Sequence, residues 1–221
     1  MRPPSDPAKM NEWLEAQKPY MEAVNKRSEE LMASGVPFAV ALVMASDEVQ
    51  AAQWEAEVEA GEMPAERGVN LIGSYARFEY AIRWVERGWL THDWLRENLP
   101  ELWRGADPDD TDPRYLRIWR QAWIANGMRA VRDGKPLPAG RTLTVYRGQQ
   151  PHEEVGFAWS LDPKTAAKFA RGIRVGTLRG DVLRASVARH DVLGFLTGRG
   201  ESEVVADPRD VVILGRKRVA P

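Results

Sequence analysis

The chain contains no cysteine. That excludes disulfides, thiolate-bound zinc and thiol catalysis. Histidine is nearly as scarce. His92, His152 and His190 lie far apart, without the helical pair spacing or flanking acids of a metal site. A Ser–His–Asp triad is equally unsupported, so no metal is expected. Long apolar runs are missing as well. The longest, Val36 to Ala45, is too short to cross a bilayer as a helix. The first residues lack the apolar stretch of a signal peptide. The expectation is therefore a protein kept in the cytoplasm, without a membrane partner. Internal repeats and low-complexity segments are also absent.

What is present is a globular composition, 43% hydrophobic and 29% charged over 221 residues. Nine tryptophans are many for this length, and most are read as core. The net charge of −1 conceals a division. Residues 1–113 hold about 11 basic and 22 acidic side chains, and residues 114–221 about 20 and 10. The C-terminal half thus suits an anionic ligand.

The first 134 residues read as helices. Apolar spacing predicts one from Ala8 to Ala33, stopped at Gly35-Val36-Pro37. A second runs from Phe38 to Ala60, before Gly61. A third is predicted from Leu71 to Arg87, with Gly88 as its stop, and a fourth begins at Thr91. Asp112-Pro113 reads as an N-cap and a first-turn proline. The acidic run before it lacks the spacing of a calcium loop.

After Asp133 to Gly140 the signals become strand signals. Candidate strands are Thr142 to Arg147, Val155 to Leu161, Ile173 to Leu178, Val182 to Val187, Val192 to Leu196, Glu203 to Ala206 and Val211 to Leu214. Asp162-Pro163 caps a helix between the second and third. Arg179-Gly180-Asp181 reads as a hairpin turn. The expected class is α+β: a helical N-terminal part followed by a small mixed β core.

Three points in this core carry chemistry. Arg147 ends a strand and precedes Gly148. Ser160 ends the next strand, just before a helix. Glu201 and Glu203 open a late strand after Gly198-Arg199-Gly200. Side chains two apart on a strand share a face, roughly 6–7 Å apart. Two carboxylates so placed can divide labour, one stabilising a cation and the other moving a proton. An arginine fork matches phosphate, and a glycine admits close approach to the backbone. These parts suit cleavage of a glycosidic bond in a phosphorylated nucleoside.

Tyr146-Arg147-Gly148, then Gly156-Phe157-Ala158-Trp159-Ser160-Leu161, then Glu201-Ser202-Glu203-Val204-Val205 resemble the Arg–Ser–Glu clade of mono-ADP-ribosyltransferases. That clade includes actin-modifying and Rho-modifying toxins and phage relatives. The resemblance covers about residues 141–215. It implies a β core of the ADP-ribosyltransferase type, with residues 91–221 as catalytic domain and residues 1–90 as a helical region of unknown role. NAD is the implied substrate. By the same resemblance Arg147 binds its phosphates and braces the site, and Gly148 holds the nicotinamide amide. Ser160 orients Glu203, and Glu203 bonds the ribose 2′-OH and stabilises the transition state. Glu201 serves the acceptor and points to protein arginine. Phe169 packs near the nicotinamide, while Phe195 and Arg199 lie in a loop that reads the target. The chain departs from the clade at its usual Ser-Thr-Ser, where it has Ala158-Trp159-Ser160. Two alternatives stay open: a nucleic-acid acceptor, suited by the basic half, and water, which makes an NAD glycohydrolase.

Overall fold

A computed structural model describes residues 6–106, 108–172, 179–198 and 202–219. The class is α+β, with helices in the N-terminal part and a mixed seven-stranded sheet after them. Two compact units are defined: residues up to 95 with 105–108, and residues 96–104 with 109 onward. No helix among the described residues is long and apolar enough to cross a membrane.

In the first unit, α1 (Pro7–Ala33) and α2 (Phe38–Glu59) form a hairpin. Gly35, at φ +96°, makes the reversal that a side chain would strain. Val24, Leu31, Ala41 and Ala45 are buried between the two helices. The predicted third helix starts six residues late, as α4 (Arg77–Glu86), and it is preceded by a short helix the sequence reading did not include, α3 (Ala65–Leu71), with a break between them. The break has a cause in packing. A Cβ on Gly73 would meet the Asp47 carboxylate at 1.9 Å, and that carboxylate accepts the Tyr75 amide at 3.0 Å. A side-chain acceptor has replaced a helical one. Trp84, fully buried on α4, donates its indole N–H to Glu55 at 3.2 Å.

α5 (His92–Gly105) starts where Thr91 accepts the Trp94 amide, as an N-cap does. The second unit takes its residues 96–104. α6 (Pro113–Ala125) starts at Asp112, whose side chain accepts the Arg114 amide at 2.8 Å, with Pro113 in the first turn. The strands are β1 (Val131–Arg132), β2 (Thr142–Gln149), β3 (Ala158–Ser160), β4 (Asp181–Ala188), β5 (Val192–Leu196), β6 (Glu203–Ala206) and β7 (Val211–Arg218). α7 (Pro163–Ala170) follows β3. The sheet order is β1-β5-β6-β3-β2-β4-β7, parallel at β1–β5 and antiparallel elsewhere. β1 carries no strand signal in the sequence. The expected strand from Ile173 to Leu178 lies outside the described residues; of the expected turn Arg179-Gly180-Asp181, Asp181 already belongs to β4.

One face of the sheet is apolar: Leu143 and Val145 of β2, Trp159 of β3, Leu183 and Val187 of β4, Phe195 of β5 and Val204 of β6. Burying a residue of this size contributes about 1.5–3 kcal/mol. Alternation sends Tyr146 and Gly148 to the other face, where α7 packs against β2. A Cβ on Gly148 would sit 1.8 Å from the Ala166 carbonyl oxygen. Close packing of a helix on a strand therefore requires this glycine.

Candidate functional site

The sheet order places the three strands that carry Arg147, Ser160 and Glu203 side by side, as β2, β3 and β6. Register then sorts their side chains. Ser160 pairs with Tyr146 on one side and with Glu203 on the other. Directly opposed residues of antiparallel strands share a face. Tyr146, Ser160 and Glu203 thus form one row across three strands. Arg147 follows Tyr146, so it leaves on the opposite face.

Two members of the row, Ser160 and Glu203, are held in place. Ser160 is 8% exposed, and its Oγ accepts the Asp162 amide at 3.0 Å. Asp162 in turn caps α7 by accepting the Lys164 and Thr165 amides. The serine is therefore locked between the end of β3 and the start of α7. With an acceptor role towards Asp162, its own hydroxyl proton remains for a second partner. Glu203 is half-buried and its Oε1 accepts the indole N–H of Trp103 at 2.7 Å. Trp103 is itself fixed, edge-on to Trp119 at 5.7 Å and tilted against Phe157 at 5.4 Å. Trp119 fits because β5 has Gly194 there, where a Cβ would come within 2.6 Å of its ring. A carboxylate on such a floor works in a low dielectric, where its charge acts more strongly than in water.

Arg147 corrects an expectation. As the binder of a phosphate it would present an open guanidinium. Instead, both of its Nη groups bond the Asp110 carboxylate, one of them also bonds the Ala158 carbonyl at 2.9 Å, and Nε donates to Gln149 at 3.2 Å. Four of its five donors are thus used. Asp110 also accepts the Ala158 amide at 3.1 Å and sits against Gly156, where a Cβ would approach it to 2.5 Å. The physical reason is desolvation. Arg147 and Asp110 side chains are only 12% and 19% exposed, and a charge there requires a partner. The pair braces β2 and β3.

Gly148 is likewise explained by α7 packing, and the side on which its Cβ would lie is filled by helix backbone. Phe195 does not lie in a loop: it is 3% exposed, in β5, within the apolar core. All five residues of β5 are buried, as in a strand covered on both faces. Phe169 lies on α7 and is 46% exposed. Glu201 and Arg199 lie outside the described residues. No group of three or more acidic or histidine side chains suited to a metal ion occurs among the described residues.

Three residues near the row were not singled out by sequence: Trp103, Asp110 and Asp133. Asp133 tethers the start of the segment that leads to Glu203. Its carboxylate accepts the Thr197 amide at 2.7 Å, the Gly198 amide at 3.1 Å and the Thr197 hydroxyl at 3.2 Å. Arg104 Nε lies 3.1 Å away. Burial alone would raise the Asp133 pKa, but these donors and the Arg104 charge hold it below the usual carboxylate value. The sign of the linkage follows. A carboxyl with a depressed folded pKa stabilises fully above its unfolded value of about 3.9, and that stabilisation is lost as pH falls through the folded value. Asp133→Asn is expected to lower the unfolding midpoint at pH 7 and to flatten its decline below about pH 4. Denaturant melts from pH 7 to 2.5 check this. A variant whose acid decline parallels the wild type would remove Asp133 from that role.

Comparison with protein-family models, with curated proteins and with solved structures finds no match for this chain.

Proposed function

We propose that the chain is an NAD-dependent mono-ADP-ribosyltransferase whose central residue is Glu203. The observation that carries the reading is the row Tyr146–Ser160–Glu203 across three neighbouring strands. The resemblance that suggests NAD requires a serine beside a glutamate, and register alone supplies one. The proposed β core of the ADP-ribosyltransferase type corresponds to the sheet of the second unit.

In this reading the C1′–N bond of the nicotinamide riboside breaks, and its electron pair leaves with nicotinamide. Positive charge develops on the ribose as an oxocarbenium-like state. The Glu203 carboxylate stabilises that charge and accepts the ribose 2′-OH. Trp103 fixes one carboxylate oxygen, and the Ser160 hydroxyl, opposite Glu203 in register, is the donor assigned to orient the carboxylate further. An acceptor nucleophile then bonds C1′, and its proton passes to Glu201. Phe169, exposed on α7, and the backbone at Gly148 are the groups assigned to nicotinamide. Arg147 acts as a positioning residue through Asp110 and Ala158. Protein arginine is the proposed acceptor, on the strength of Glu201; Arg199 would take part in reading it. Water as the acceptor would give glycohydrolysis instead.

The test uses NAD labelled in the adenylate moiety, incubated with the protein and a cell lysate. Transfer to protein predicts label removed by protease and resistant to nuclease. Label removed by nuclease would replace the acceptor. Free ADP-ribose as the sole product would replace transfer by hydrolysis, and label left in NAD would overturn the reading.

A further inference from the structure

Among the described residues of the second unit, a concavity of about 810 Å³ and one of about 370 Å³ share Asn126, Ala130 and Arg132 as a common wall. None of the row Tyr146–Ser160–Glu203 lines either of them. The larger is bordered by Arg129, Arg132, Arg141 and Arg189. Elsewhere in this unit arginines are mostly neutralised: Arg104 by Asp133, Arg120 and Arg209 by Asp207, Arg147 by Asp110, and Arg216 and Arg218 by Asp181. Around the cavity the pattern reverses. Among the described residues none of the four has a carboxylate in ion-pair reach; Arg189 donates only to the neutral carbonyl of Pro138. Four like charges on one concave surface repel each other, and low-dielectric walls focus their field outward.

The floor adds a second observation. Leu137 and Ala130, each 9% exposed, form its apolar base. Met128 lies at the rim, 64% exposed. Its φ of +58° makes it the single non-glycine residue with positive φ among the described residues. That conformation belongs to the stop of α6, where the Met128 amide donates to the Trp123 carbonyl at 2.9 Å, and it leaves the side chain exposed beside the apolar base.

We infer that this double concavity is a binding groove for a single strand of nucleic acid, held through its phosphates. The planar guanidinium matches phosphate oxygens in pairs. The contiguous shape favours a polymer over a lone anion. A cavity of about 800 Å³ encloses a drug-sized molecule, so the two together accommodate a short run of nucleotides, whereas a duplex touches only the rim. No phenylalanine, tyrosine or tryptophan lines either concavity. Binding should therefore follow the backbone and not the base sequence. The inference does not rest on the NAD reading, and its test contains no NAD.

The test is fluorescence anisotropy of a labelled 12-nucleotide single strand titrated with the full chain at several salt concentrations. Four phosphate contacts predict a slope of log Kobs against log salt of about −3. Arg129→Ala/Arg141→Ala is expected to make the slope shallower by about 1.4 and to weaken binding roughly 20-fold at 0.1 M salt. Arg117→Ala/Arg184→Ala, exposed arginines that line neither cavity, should bind like wild type, and thermal melts confirm that both variants fold. Equal losses in the two variants would overturn the groove. So would binding of poly-glutamate as tight as that of the oligonucleotide, a duplex of equal length bound more tightly than the strand, or no binding at low salt.

Discussion

Glu203→Gln is expected to lower nicotinamide release from NAD by about 10²-fold or more, with an unchanged melting temperature. The substitution removes the charge that meets the developing cation. It keeps an amide oxygen at the position where the Trp103 N–H donates at 2.7 Å, so the indole is not left unpaired. This separates chemistry from folding, which Glu203→Ala would not. The same protein preparation gives both readouts, a chromatographic assay of nicotinamide and a thermal melt. A variant that retains near-wild-type release would place bond cleavage elsewhere. One that unfolds would mean the carboxylate charge is structural.

The largest effect on stability is expected at Asp110. Asp110→Asn leaves the Arg147 guanidinium, 12% exposed, without a counter-charge. Breaking a buried pair in this way costs about 3 kcal/mol, which in a chain of this size is on the order of 10 °C in melting temperature. The pair differs from a surface salt bridge because the same carboxylate also accepts the Ala158 amide at 3.1 Å. Loss of the charge therefore loosens the join between β2 and β3 as well. Arg147→Met in the Asp110→Asn background should recover part of the loss, because it removes the uncompensated charge. Urea unfolding of the four proteins of this cycle gives the coupling, expected to exceed about 1 kcal/mol. Strict additivity would show that Arg147 and Asp110 act independently. Through the brace, both variants should also slow NAD cleavage, although neither residue touches the reacting atoms in the proposed site.

How far the sequence reaches can be seen residue by residue. The alternation of Leu143 and Val145 with threonines was legible as a strand because period two is a local property. The Asp112-Pro113 and Asp162-Pro163 helix starts were legible for the same reason: a cap acts within three residues. The break between α3 and α4 was not, because the acceptor that replaces the helical bond, Asp47, comes from another helix. Ser160 and Glu203 were readable as candidates. Their pairing required the register of β3 against β6. Trp103 lies 100 residues from Glu203 in the chain, and nothing local distinguishes it from the other tryptophans. Asp110 was hidden among the acids of its loop. Phe195 shows the opposite error. Its run Val192 to Leu196 is apolar at every position, the mark of a strand covered on both faces, and this outweighs the loop position that the resemblance implied.

The most direct measurement is the product analysis of NAD incubated with the purified chain, by separation of nicotinamide, ADP-ribose and AMP. With Glu203 as the central residue, nicotinamide is released in equal amount to ADP-ribose, whether free or attached to an acceptor, with saturation at NAD concentrations in the range of about 1 μM to 1 mM, and none of it in Glu203→Gln above a background about 10²-fold lower. Intact NAD after prolonged incubation with and without lysate, or cleavage at the pyrophosphate to give AMP, would contradict it.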